Sequence, residues 1–261
     1  MPAQSASAGP SVTFSGVRKR YPGGTDALDG IDLTIDAGSF VALVGSSGSG
    51  KSTLLKMVNR LIEPTAGSIA IDGADVSDGP AHLLRRRIGY VFQNIGLFPH
   101  LTVGENVAIG LRLAGTRDTG TRVAELLETV ELDPALAARY PDALSGGQRQ
   151  RVGVARALAT QPRLMLMDEP FGALDPVTRD QLATTIRALH DRLGLTTILV
   201  THDMAEALLT ADRVLVMASG RIVGDATPAA LLAGKGGAEA DALVAVPRDQ
   251  ARRIAALEAG A

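Results

Sequence analysis

The chain has 261 residues, 46% of them apolar and 21% charged, enough to bury a core and too apolar for a broadly disordered protein. Its 26 Lys and Arg against 28 Asp and Glu leave a net charge of −2, so nucleic acid is not an expected partner. The absence of cysteine excludes a disulfide framework, a thiolate metal site and a thiol nucleophile. Residues 1–14 carry neither a basic n-region nor an apolar h-region, so no secretory leader is expected. No apolar run approaches the ~20 residues of a membrane helix. A soluble, cytosolic chain is the expectation.

Ile31, Leu33 and Ile35 alternate with polar residues up to Asp36-Ala37-Gly38, and Phe40 to Val44 is then continuously apolar. This pattern predicts a half-buried strand, a tight turn and a buried strand. The second strand runs into Gly45-Ser46-Ser47-Gly48-Ser49-Gly50-Lys51-Ser52, and from Thr53 to Leu61 the apolar residues take helical spacing. Further short strands are predicted at Ser68–Ile71, Ile88–Phe92, Leu164–Met167, Thr197–Thr201, Val214–Met217 and Ile222–Gly224. Between several of them lie helical patterns. One places Leu182, Ile186, Leu189 and Leu193 on one face, with Asp175 as N-cap and Pro176 at the first helical position. The alternation predicts an α/β fold with a parallel sheet. From Asn94 to Ala143 strand signals stop, and helices are expected at 103–113, 121–130 and 134–140, an inserted helical subdomain of about 94–150. After Asp225 the Ala/Gly-rich run predicts a flexible tail carrying one amphipathic stretch, Gln250 to Leu257.

Gly45-x-x-x-x-Gly50-Lys51-Ser52, between a strand and a helix, has the composition of a phosphate cradle. Glycines let successive N–H groups turn toward phosphate oxygens, and the helix adds its positive N-terminal end. Lys51 offers a point charge to the β/γ-phosphates, and the Ser52 hydroxyl a ligand for Mg²⁺. Leu164 to Met167 is a buried strand ending in Asp168-Glu169. There Asp168 can hold the water shell of a metal and Glu169 can take a proton from an attacking water. Leu144-Ser145-Gly146-Gly147-Gln148 opens another helix, for which Ser145 is a competent N-cap. The same free N–H groups and hydroxyl would also suit a second anion. Two phosphate cradles in one chain make sense if two copies associate head to tail, each nucleotide lying between the Gly45 loop of one and the Ser145 loop of the other.

With these motifs in this order, residues 11–225 resemble the nucleotide-binding subunit of ABC transporters, on the importer side of that family. The resemblance implies a RecA-like P-loop NTPase core with an antiparallel β subdomain, ATP and Mg²⁺ as cofactors, and ATP hydrolysis. It also implies a homodimer on the cytoplasmic face of the membrane, working with integral permease subunits and, through them, an extracytoplasmic substrate-binding protein. Tyr21 would stack on adenine, loop 45–52 and Thr53 would hold the phosphates, and Gln93 would sense Mg²⁺ and the attacking water. His202 would meet the γ-phosphate, and Asp175 would act across the dimer. The apolar segment Ile95-Gly96-Leu97-Phe98-Pro99 is expected to be a loop buried under the helical subdomain, the wall of a groove for a permease helix, or both. Lys56 to Pro64, Arg86 to His100 and Val246 to Gln250 are similar to the quaternary-amine and osmoprotectant uptake group, whose solutes include glycine betaine, choline, carnitine and proline. Polar amino-acid import is the nearest alternative, and a soluble ABC ATPase of repair or translation a more distant one. Arg149 departs from the group's usual Gln, and no paired regulatory domain is expected after residue 225.

Overall fold

The computed structural model describes residues 8–259; residues 1–7, on which the expectation of no secretory leader partly rests, lie outside the described residues. Strands β1 (Val12–Arg20) and β2 (Asp26–Ile35) form a hairpin. β3 (Phe40–Val44) follows, then helix α1 (Lys51–Val58). β4 (Ala66–Ile71) and the two-residue β5 (Ala74–Asp75) complete a four-stranded antiparallel sheet in the order β2-β1-β4-β5.

The second sheet is the core. After the short helix α2 (Ala81–Arg86) come β6 (Ile88–Val91), α3 (Val103–Leu113), α4 (Gly120–Thr129) and α5 (Gly146–Leu158). β7 (Leu164–Asp168), α6 (Pro176–Leu193), β8 (Thr196–Val200), α7 (Met204–Thr210), β9 (Arg213–Ala218) and β10 (Arg221–Ala226) follow. Their order is β10-β9-β3-β8-β7-β6, parallel except for the edge strand β10. The expected α/β class is what the chain adopts, with β3 at the centre.

Strand β3 explains its own unbroken apolar run. Phe40, Ala42 and Val44 enter a core shared with α3 to α7, while Val41 and Leu43 enter a second core under α1 and the antiparallel sheet. Both faces are covered, so alternation has no reason to appear. The chain then leaves the carboxyl end of β3, β6, β7 and β8 on the same edge of the sheet, the edge where open α/β sheets bind ligands.

Three expectations need correction. β1 lies in a stretch where no strand was predicted; its register shifts between Phe14 and Val17 break the apolar alternation on which that reading depends. Residues 134–140 form only a five-residue 3₁₀ turn, Pro134–Ala138, capped by Asp133. Nor is the end of the chain a flexible tail. α8 (Pro228–Leu232) and α9 (Ala238–Ala259) pack on α7 and β10, with Leu231, Ala240 and Val244 buried. Alanine is the strongest helix former, so an Ala-rich run with a few apolar anchors docks. Burying Leu231 and Val244 contributes about 1.5–3 kcal/mol each. Among the described residues no helix is long and apolar enough to cross a membrane.

Candidate functional site

Loop 45–52 turns from β3 into α1 with a backbone that side chains would prevent. Gly45 has φ 148°, and a Cβ there would strike the carbonyl of Met217. The N-cap of α1 is Gly50 in the left-handed region, with no side chain closing the first turn, so the helix presents its N-terminal N–H groups uncapped. The Lys51 ammonium donates to the carbonyl oxygens of Gly45 (2.8 Å) and Ser46 (2.9 Å) and, at 3.4 Å, to Ser49 Oγ. Lys51 is only 6% exposed. Burial pulls its pKa below the usual lysine value, against the opposing pull of Glu169 and Asp168. Among the described residues no carboxylate shares its bonds, so a phosphate can replace the carbonyls.

Ser52 Oγ donates to Asp168 Oδ1 at 2.6 Å, which joins the first turn of α1 to the end of β7. Next along the chain, Glu169 has a left-handed backbone, φ 46°, held by its N–H donating to Val200 O at 2.9 Å. That turn aims its carboxylate along the edge of the sheet. Gln93 Nε2 donates to Glu169 Oε2 at 3.0 Å, and His202 Nδ1 lies 3.6 Å from the same oxygen. The segments after β6, β7 and β8 thus bring Gln93, Glu169 and His202 together, at the edge where α1 begins.

Other expected residues stand elsewhere. Tyr21, 36% exposed, is in the β1–β2 turn with Lys19 Nζ 5.2 Å from its ring centre. The ribbon it caps reaches the loop at Ala27, whose carbonyl lies against Gly50. Ser145 opens α5 through a reciprocal capping box: its hydroxyl accepts from Gln148 N (3.2 Å) and Gln148 Oε1 accepts from Ser145 N (3.0 Å). The cap alone accounts for both side chains within the chain. Gly147 packs so closely on Thr178 that a Cβ would strike it, and Thr178 N donates to Asp175 Oδ1 at 3.0 Å. The Ser145 and Asp175 helix starts are therefore neighbours on one exposed face. The Asp175 carboxyl is held below its usual range, first by the hydrogen bonds from Thr178. The apolar segment is not buried under α3: Phe98 is 41% exposed, its N–H donating to Asn106 Oδ1 while Leu97 packs inward.

Four contributors went unread in the sequence. Lys56 Nζ sits 3.1 Å from Asp168 Oδ2, and the Tyr90 hydroxyl donates to the same oxygen at 3.4 Å. Lys56 shares a helix face with Ser52, an i,i+4 spacing that could have flagged it. Arg156 of α5 donates to the carbonyls of Ile95 and Gly96, holding the segment after Gln93. Arg179 donates to Leu174 O and reaches Asp203, joining the Asp175 turn to the residue after His202.

The family model described as ABC transporter matches residues 28–172, more than half of the chain. The chain belongs to the ABC transporter family. The choline transport ATP-binding protein OpuBA of Bacillus subtilis is 48% identical over 83% of this chain and 58% of its own length. The Fe(3+) ions import ATP-binding protein FbpC 1 of Rhodococcus jostii is 50% identical over 84% of this chain and 62% of its own. This ABC chain thus spans about three fifths of such relatives. Among solved structures, the ATP-binding cassette MJ0796, described as dimeric in a post-hydrolysis state bound to ADP and Pi, is 36% identical with a TM-score of 0.76, covering 83% of this chain and 98% of that one.

Proposed function

We propose that this ABC subunit hydrolyses ATP as a head-to-tail homodimer, on the cytoplasmic face of a membrane, to drive uptake through separate permease subunits. The observation that carries this reading is the meeting of Gln93, Glu169 and His202 opposite an uncapped, glycine-built helix start. In the proposed reaction, loop 45–52 and Thr53 bind the phosphates through N–H groups and Lys51, and Tyr21 takes the adenine. Glu169, oriented by Gln93, accepts the proton of the attacking water. His202 stands where it can touch the phosphoryl group that leaves.

Ser52 and Asp168 are hard oxygen donors in hydrogen-bond contact, a set that fits Mg²⁺. When bound, Mg²⁺ would neutralise charge on the β- and γ-phosphates, with Gln93 at the margin of its shell. Ser145, Gly146, Gly147, Gln148 and Asp175 complete the site from the second copy. Support for that division comes from the exposed positions of Ser145 and Asp175 and from the dimeric MJ0796 cassette. Phe98 and Ile95, apolar and partly exposed, form the wall for a permease helix. A substrate-binding protein on the other side of the membrane completes the importer.

A quaternary amine such as choline or glycine betaine is the proposed cargo, on the resemblance of residues 56–64 and 86–100 and the choline relative. The iron-import relative, equally similar, favours a second reading as an inorganic-ion importer. Cells lacking the gene decide between them. Loss of labelled glycine betaine uptake at high osmolarity supports the first; intact betaine uptake with impaired ferric uptake supports the second.

A further inference from the structure

Asp168 is 2% exposed, and its two oxygens are divided between different partners. Oδ1 accepts from Ser52 at 2.6 Å, while Oδ2 accepts from Tyr90 at 3.4 Å and pairs with Lys56 at 3.1 Å. A buried carboxylate without a counter-charge is costly, so a cation there is expected. Lys56, 35% exposed in its side chain, supplies it from the second turn of α1. Together with Lys51 this sets two cations against the two carboxylates of Asp168 and Glu169. Among the described residues no cluster of three or more His, Asp or Glu could hold a metal ion. The chain therefore offers a divalent cation two oxygen donors in a locally neutral site, far short of an all-protein cage.

We propose that Lys56 is a positioning residue that occupies Asp168 on the oxygen away from Ser52 and keeps this site neutral, so that the chain takes a divalent cation only together with a polyphosphate. Tyr90 fixes the carboxylate from the neighbouring strand, and the free side of Oδ1 stays turned toward Ser52. The inference rests on the nucleotide-binding reading above. The negative charge that a cation needs is then supplied by the ligand itself, which makes metal and nucleotide binding mutually dependent. Removing Lys56 leaves one uncompensated carboxylate. A unit positive charge one carboxylate away from a divalent ion weakens its binding by roughly tenfold even at the dielectric of water.

Protein-bound Mn²⁺, measured by equilibrium dialysis against a protein-free chamber so that ion held by the analogue in solution cancels, tests this on the full chain with and without a non-hydrolysable ATP analogue. The wild-type protein is expected to bind Mn²⁺ weakly alone and tightly with the analogue. Lys56→Met should bind Mn²⁺ without nucleotide about tenfold or more tightly than wild type, and Lys56→Arg should match wild type. In an Asp168→Asn background, Lys56→Met should change nothing. Lys56→Gln replaces Lys56→Met if the latter does not fold by circular dichroism. Equal nucleotide-free affinities of the neutral variant and wild type overturn the role of Lys56 alone. No gain in Mn²⁺ binding by wild type with the analogue overturns the nucleotide reading and this inference with it.

Discussion

Loop 45–52 and loop 144–148 both open helices, and both have the composition to hold an anion, yet the chain treats them differently. The first is uncapped, sunk against Met217 and Ala27, and ringed by Asp168, Glu169, Gln93 and His202. The second is closed by its own capping box and stands on an exposed face beside Asp175. One cradle is furnished by its own chain. The other is furnished with nothing but its helix end and the neighbouring turn, and the proposed head-to-tail dimer would supply the rest from a second copy.

The largest effect is expected at the inward cradle. Lys51→Ala removes the one ammonium the loop offers and should abolish ATP binding and turnover; nucleotide retained at wild-type affinity on a filter assay would break the contrast. Glu169→Gln keeps the hydrogen bond from Gln93 but cannot take a proton, so single-turnover hydrolysis should fall about 10²- to 10⁴-fold while ATP still binds. Rapid hydrolysis by that variant would move the base elsewhere.

At the outward cradle the fold should be indifferent. A Cβ at Gly146 meets open space. Gly146→Glu should therefore leave the melting temperature nearly unchanged, yet place a negative charge where the proposed dimer would seat a second copy's nucleotide. Loss of ATP-dependent dimerisation on size-exclusion chromatography is the expected result. An unchanged elution shift would deny the loop its role. Phe98→Asp addresses a different surface: co-purification with a permease should fail, since an unpaired charge buried in an interface costs several kcal/mol, while ATP binding persists.

The smallest effects sharpen the contrast through pH. Glu206 of α7, next to the His202 turn, has its carboxyl raised, foremost by burial. Its folded pKa lies above the unfolded value of 4.5, so its contribution is fully present below that value and is lost as pH rises through the folded pKa. Glu206→Gln should gain on wild type in thermal melts as pH rises beyond 4.5. Asp175 is depressed, so its contribution is present above its unfolded value of 3.8 and lost as pH falls through the lower folded pKa. Asp175→Asn should melt below wild type at neutral pH, and the gap should close in acid. Two variants drifting in the same direction would deny the difference between the inward and outward regions.

The inward cradle could be read from the sequence because each of its parts is local. A glycine loop after an apolar strand and a strand ending in Asp168-Glu169 are written in consecutive residues. What stayed hidden is set by register and crossing. Tyr90 reaches Asp168 because β6 and β7 pair Tyr90 with Leu166, two residues short of it. Arg156 acts on backbone carbonyls of a distant turn and Arg179 on the nearby Leu174 carbonyl, and carbonyls leave no mark in a sequence. The tail misled for another reason. Alanine and glycine look alike as small residues, but Gly234 and Gly237 make the turn between α8 and α9 while the alanines continue the second helix.

The claim that the two cradles belong to different copies has a direct test. In a Glu169→Gln background, where bound ATP is not consumed, a copy carrying Lys51→Ala is mixed with a copy carrying Gly146→Glu, and trapped ATP is counted. Neither variant alone should retain nucleotide in a closed dimer. Mixed, a head-to-tail pair has one site broken twice and one assembled from an intact Gly45 loop and an intact Ser145 loop, so one ATP should be retained per mixed dimer. If mixing restores no retention, the two loops do not complete each other across copies, and the shared site is wrong.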